Sequence, residues 1–174
     1  CNPESLTDSK LQLLVEHGVN RISLGIQSFE RRKRSQLMRQ GDADAVRARL
    51  AAVSRKVRNV NADLIYGVPG ETAGQWTDDL KVTLCQGITH LSTYALTIEE
   101  GTSLAKQGDS MPDDALFVRF WEMVEDVAQE YGLQRYEVSN LAVPGFECRH
   151  NLSIWHGAPY LGCGPAAASF NGID

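Results

Sequence analysis

The sequence predicts an α/β protein: a parallel sheet with crossover helices, either open or a piece of a larger barrel. Three observations predict it. Segments with apolar stripes at helical spacing alternate with period-two segments, helix then strand, four times over, and regular alternation builds parallel sheets. At 174 residues the chain is short for a closed eight-stranded barrel, which takes about 250. After Asn140 the texture changes: Pro144, Gly145, Gly157, Pro159, Gly162, Gly164 and Pro165 crowd into a loop-rich tail.

Each element has a local reason. Thr7 and Asp8 start a helix, Leu11, Leu14 and Val15 form its apolar stripe, and Gly18 stops it. Residues 20–27 then alternate: Ile22, Leu24 and Ile26 share one face, and Arg21, Ser23, Gly25 and Gln27 the other. That second face is small and polar, open enough to meet a ligand. The basic run Arg31–Arg34 reads as a solvated helix face. A helix over 42–56 buries Val46, Leu50 and Val53, with Val57 continuing the stripe. The next strand carries Asp63 among apolar neighbours and ends in a Tyr66-Gly67-Val68-Pro69-Gly70 turn. A helix over 73–86 presents Trp76, Leu80 and Leu84 and stops at Gly87. Residues 90–97 form another strand. Pro112 suits a helix's first turn, and that helix buries Leu116, Phe120, Val124 and Val127 before Gly132. Tyr136–Asn140 is a last short strand.

Composition narrows the function classes. A net charge of −5 gives no support to a nucleic-acid footprint. No apolar run approaches 18 residues, so no membrane span is expected. Cys1, Cys85, Cys148 and Cys163 form no C-x-x-C pair, so they read as free thiols of a reducing compartment, and a cytoplasmic location is expected. The absence of an initial Met suggests a chain cut from something longer. No nucleophile elbow, P-loop, zinc-protease or dinucleotide fingerprint is present. Glu99 and Glu100 read as a solvated pair.

Three strand ends could face one ligand together: Gln27, Asp63 and the Tyr94–Thr97 stretch, with Arg39 one short helix beyond the first. Gln offers donor and acceptor, Asp accepts from ribose hydroxyls, and Arg forks onto a carboxylate. Together these suit a nucleoside carrying an amino-acid tail. The competing reading is that Gln27 and Asp63 satisfy each other or nearby backbone. His150, near Trp155 and Tyr160 in sequence, could ligate a haem iron or serve as a capping or core histidine.

The ordered motifs go further. Cys1–Thr7, Asn20–Phe29, Asn61–Thr72, His90–Thr102, Tyr136–Asn140 and Cys148–Asn151 resemble successive motifs of HemW, the haem chaperone branch of radical S-adenosylmethionine (SAM) proteins, related to oxygen-independent coproporphyrinogen III oxidase. The resemblance implies a partial (β/α) barrel of radical SAM type, with 1–140 its C-terminal part and 141–174 a loop-rich linker into a C-terminal domain. It implies that Gln27, Arg39 and Asp63 bind SAM, that the Ala95 backbone contacts it, and that His150, beside Asn151, binds haem. The implied cofactors are SAM, haem and a [4Fe–4S] cluster. The implied partners are haem and haem-accepting proteins, with no nucleic acid; peripheral membrane contact and oligomeric state stay open. The implied function is haem chaperoning, with oxidative decarboxylation in porphyrin biosynthesis as the alternative.

Departures from the family pattern are specific. The C-x-x-x-C-x-x-C cluster motif and the glycine-rich SAM segment are absent from these residues, so this chain alone is expected to be inactive. The family's Leu-Gly-Arg-x-His reads Leu37-Met38-Arg39-Gln40-Gly41, keeping the Arg and losing the His. Ile154 stands where the family has Tyr.

Overall fold

The computed structural model describes residues 1–39, 41–99, 101–106 and 113–172. Their core is one five-stranded sheet with helices packed on its apolar face. In chain order the elements are α1 (Asp8–Glu16), β1 (Arg21–Gln27), α2 (Arg31–Gln36), α3 (Ala43–Lys56), β2 (Asn59–Tyr66), α4 (Ala73–Leu84), β3 (His90–Ala95), α5 (Ser103–Lys106), α6 (Asp114–Gln129), β4 (Gln134–Arg135), β5 (Asn140–Ala142) and α7 (Arg149–Trp155). A 3-10 turn, Pro3–Ser5, precedes them.

The helix starts follow from their caps. Thr7 accepts from the Lys10 amide at the head of α1, and Thr72 and Gln75 form a reciprocal capping box on α4. Asp113 caps α6 through the Leu116 amide. The predicted position of Pro112 lies outside the described residues.

β1, β2 and β3 are parallel neighbours. The expectation of a wholly parallel sheet needs correction. β5 runs antiparallel to both β3 and β4, giving the order β1-β2-β3-β5-β4. The predicted strand Tyr136–Asn140 is instead the connection of a short hairpin, and only Asn140 of it enters β5. The segment turns back on itself: the Tyr136 amide donates to the Asn140 carbonyl at 3.2 Å, and the Tyr136 hydroxyl reaches the buried His90 ring.

The strands sort their side chains by alternation. Ile22 and Leu24 of β1, Val60, Ala62 and Leu64 of β2, and Leu91 of β3 are buried in the apolar core. Leu50 and Val53 of α3, Trp76 and Leu80 of α4, and Phe120 and Val124 of α6 close it from the helix side. Trp76 is fully buried and donates its indole N–H to the Phe120 carbonyl at 3.0 Å, which ties α4 to α6. Gly67, at φ 79°, is needed at the end of β2: a Cβ there would lie 2.1 Å from the Phe117 ring, so only glycine lets α6 approach the turn.

A second correction concerns the basic run. Arg31 and Arg32 are exposed, as expected, but Lys33 and Arg34 are buried. The Lys33 ammonium lies 2.5 Å from Glu71 and 2.7 Å from Asp79, both buried. A cation is tolerated inside a protein only with such partners. The Gly67 and Val68 amides donate to Glu71, and the Ser28 hydroxyl and Phe29 amide donate to Asp79. Burial raises the Glu71 carboxyl above its usual range, opposed by Lys33 and those amides. The cluster therefore fastens the turn after β1, α2, the turn after β2 and α4 to one another.

Candidate ligand site at the strand ends

The polar face of the sheet carries the site. Register sets Ser23, Asn61 and His90 in one row across β1, β2 and β3. It sets Gly25, Asp63, Ser92 and Asn140 in the next, across β5 as well. Cross-strand neighbours in such rows lie close enough to bond. Asp63 is therefore not isolated among apolar groups. Its carboxylate accepts from Ser23 Oγ at 3.0 Å and from Asn61 Nδ2 at 2.7 Å.

A cavity of about 510 Å³ opens at the C-terminal ends of these strands, lined by Ser23, Gln27, Asp63, Ile65 and the Tyr94–Thr97 stretch. This is the volume of a small-molecule pocket. The structure thus brings Gln27, Asp63 and Ala95 together. Arg39 lines a different cavity of about 530 Å³, beside Arg31, Arg34, Ser35 and Asp42, which shares no lining residue with the first.

Gln27 reaches the rim through an irregularity. The β1–β2 register slips between Gly25 and Gln27, and Gln27 takes φ 70°, a left-handed conformation uncommon outside glycine. A bulge of this kind re-aims a side chain. Gly25 makes room for the result: a Cβ there would lie 2.9 Å from Gln27 Nε2. Among the described residues no hydrogen bond engages the Gln27 amide, and Asp63 is served by Ser23 and Asn61. The two side chains do not satisfy each other. Two of the roughly four acceptor positions of the Asp63 carboxylate are taken. The donor and acceptor set that remains suits a polar ligand such as a nucleoside.

Behind Asp63 lies a buried polar network that the sequence reasoning missed. His90 Nδ1 lies 2.6 Å from Asn61 Oδ1, and His90 Nε2 lies 2.7 Å from the Tyr136 hydroxyl. Tyr136 Oη also accepts the Cys148 amide at 3.2 Å. Burial, with the Arg21 guanidinium adding to it, holds the His90 pKa down at about 3, so the ring is neutral at neutral pH. The one available signal was alternation: Asn61 and His90 are polar at positions that share a face with Asp63 and Ser92.

His150 stands exposed on α7, with Trp155 half exposed at the end of the same helix. Tyr160 pairs instead with Phe170, ring centroids 6.4 Å apart. The four cysteines are free, and no group of three metal-ligating side chains occurs among the described residues. No described helix is long and apolar enough to cross a membrane.

The chain is similar to several known proteins. The family described as Radical SAM superfamily matches residues 1–82. Heme chaperone HemW of Mycobacterium tuberculosis is 37% identical over 99% of this chain and 46% of its own length. Heme chaperone HemW of Escherichia coli is 35% identical over 96% of this chain and 44% of its own. The mouse mitochondrial radical S-adenosyl methionine domain-containing protein 1 is 35% identical over 96% of this chain and 39% of its own. The chain therefore spans less than half the length of these relatives. Among solved structures, coproporphyrinogen III oxidase of Escherichia coli, described as a radical SAM enzyme, superposes with a TM-score of 0.81 over 98% of this chain and 43% of that one, at 21% identity. That likeness is one of fold.

Proposed function

The chain belongs to the radical SAM proteins, on their HemW-type branch, and from that premise we propose that its strand-end cavity holds the nucleoside part of SAM within a haem chaperone. The observation that carries the reading is the joint lining of one cavity by Gln27, Asp63 and Ala95 from three adjacent strands. In this reading Asp63 accepts from the ribose hydroxyls, the backbone at Ala95 meets the adenine edge, and Gln27 supplies an unengaged amide. Arg39, which lines a separate cavity, is proposed for the carboxylate of the amino-acid tail. The family implies SAM and an iron–sulfur cluster; SAM beside such a cluster supplies one-electron chemistry. No cluster-bearing residues are assigned within this chain, so no step of that chemistry is assigned to it.

Haem is the proposed cargo, with the exposed His150 as its ligand, and haem-accepting proteins are the proposed partners, in the cytoplasm. The higher-identity relatives are named as haem chaperones, which favours this reading over oxidative decarboxylation. Equilibrium dialysis of SAM against the intact protein and its Asp63→Ala variant tests the site. A loss of affinity of tenfold or more is expected, and an unchanged affinity refutes it. His150→Ala is expected to abolish the haem absorption band of the loaded protein; an unaltered spectrum removes His150 from the assignment.

A further inference from the structure

The bonds behind Asp63 run in one direction. Both hydrogens of the Asn61 amide are committed: Nδ2 lies 2.8 Å from Ser23 Oγ and 2.7 Å from Asp63 Oδ1. Ser23 passes its own hydroxyl hydrogen to Asp63 Oδ2. Turning the Asn61 amide over would set its carbonyl oxygen against the carboxylate, two acceptors with no hydrogen between them. The carboxylate thus fixes which end of Asn61 faces it. Oδ1 then faces His90, and the 2.6 Å contact to Nδ1 requires the ring to donate there. A neutral ring that donates from Nδ1 accepts at Nε2, and the Tyr136 hydroxyl stands 2.7 Å away to donate. Tyr136 in turn accepts the amide of Cys148, the residue that opens α7. Ser92 Oγ, 3.1 Å from Asn61 Oδ1 and 2.6 Å from Asn140 Oδ1, flanks the row.

We propose that Asn61 and His90 are positioning residues for the ligand-accepting carboxylate: Asn61 with Ser23 holds Asp63 by both oxygens, and His90, backed by Tyr136, locks the Asn61 amide in the one orientation that can do so. The inference rests on the reading of Asp63 as a nucleoside contact. Neither residue touches the ligand. Their contribution is to keep the carboxylate in one orientation before the ligand arrives, which removes an ordering cost from binding.

The test has two arms. In the ligand-free intact protein, nitrogen-15 NMR of the His90 ring is expected to show a neutral imidazole protonated on Nδ1; protonation on Nε2 overturns the inference. In the second arm, SAM affinity is measured from pH 6 to 8 for the unaltered protein, Asn61→Asp, His90→Gln and Asp63→Ala. Asn61→Asp keeps the shape but replaces a donor with a second carboxylate. It is expected to bind at least tenfold more weakly at pH 8 and to recover toward pH 6, as the two carboxylates share a proton. The unaltered protein is expected to be flat over that range. His90→Gln, whose single terminal amide does not reproduce both ring-nitrogen contacts, is expected to bind at least threefold more weakly; unaltered binding by it removes His90 from the inference. A flat, unaltered profile for Asn61→Asp overturns the inference while leaving the site standing, provided Asp63→Ala loses binding. If Asp63→Ala binds as before, the site and this inference fall together.

Discussion

Acidification is the perturbation that His90 makes most informative. Its ring is fully buried, with a pKa lowered from 6.5 to about 3 by burial first and by Arg21 second. In the unfolded chain the same ring takes up a proton below about pH 6.5. Between that pH and about 3, the unfolded state therefore binds more protons than the folded one. Stability must then fall as pH falls through the window. One pKa unit corresponds to about 1.4 kcal/mol, so this single ring removes about 2 kcal/mol by pH 5 and about 4 kcal/mol by pH 3, where the folded ring is itself half protonated. Carboxylates titrate in the lower half of the window, so the measurement compares the unaltered protein with His90→Gln. Urea unfolding at pH 7, 6 and 5 is expected to show the unaltered protein losing about 2 kcal/mol more than the variant by pH 5. Equal losses in the two proteins would refute the argument, as would an NMR titration placing the His90 midpoint near 6.5.

Two further substitutions separate the rim from the scaffold beneath it. Gly25→Ala places a Cβ 2.9 Å from the far end of the Gln27 side chain, which is flexible enough to move. Stability measured by urea unfolding is expected to change by less than about 1 kcal/mol, while SAM affinity by dialysis falls severalfold. Lys33→Met leaves Glu71 and Asp79 buried without their cation, a loss of about 3–5 kcal/mol for a broken buried pair. Calorimetry is expected to show a Tm about 10 °C lower, with a smaller deficit at pH 5 because the stranded carboxylates can take up protons.

The elements were legible wherever the deciding interactions are local. The Val46, Leu50 and Val53 stripe forms α3 because its periodicity is written within a few turns. Ile22, Leu24 and Ile26 declare β1 in the same way. That Gln27, Asp63 and the Tyr94–Thr97 stretch line one cavity was legible because parallel strands deliver their C-terminal ends to one edge. What stayed hidden depends on distant partners. Lys33 is buried because Glu71 and Asp79, 38 and 46 positions away, are waiting for it. A run of four basic residues carries no trace of that. Tyr136 has the alternating neighbours of a strand, yet its hydroxyl is drawn to a histidine 46 positions earlier. The separation of Arg39 from the strand-end cavity follows from the placement of α2 and the turn after it, which spacing along the chain does not specify.

The Lys33 knot has a dynamic consequence. Glu71 is held by amides of the turn after β2, and Asp79 by the hydroxyl and amide of the turn after β1. Peeling either turn away strands a charge that the other must then carry without compensation. The two loops beside the ligand edge are thus expected to open as a unit, with the amides of Phe29, Gly67 and Val68 exchanging their hydrogens at a common slow rate. On the proposed function, such a site would meet its ligand already stiff, and discriminate by fit more than by folding around what it binds.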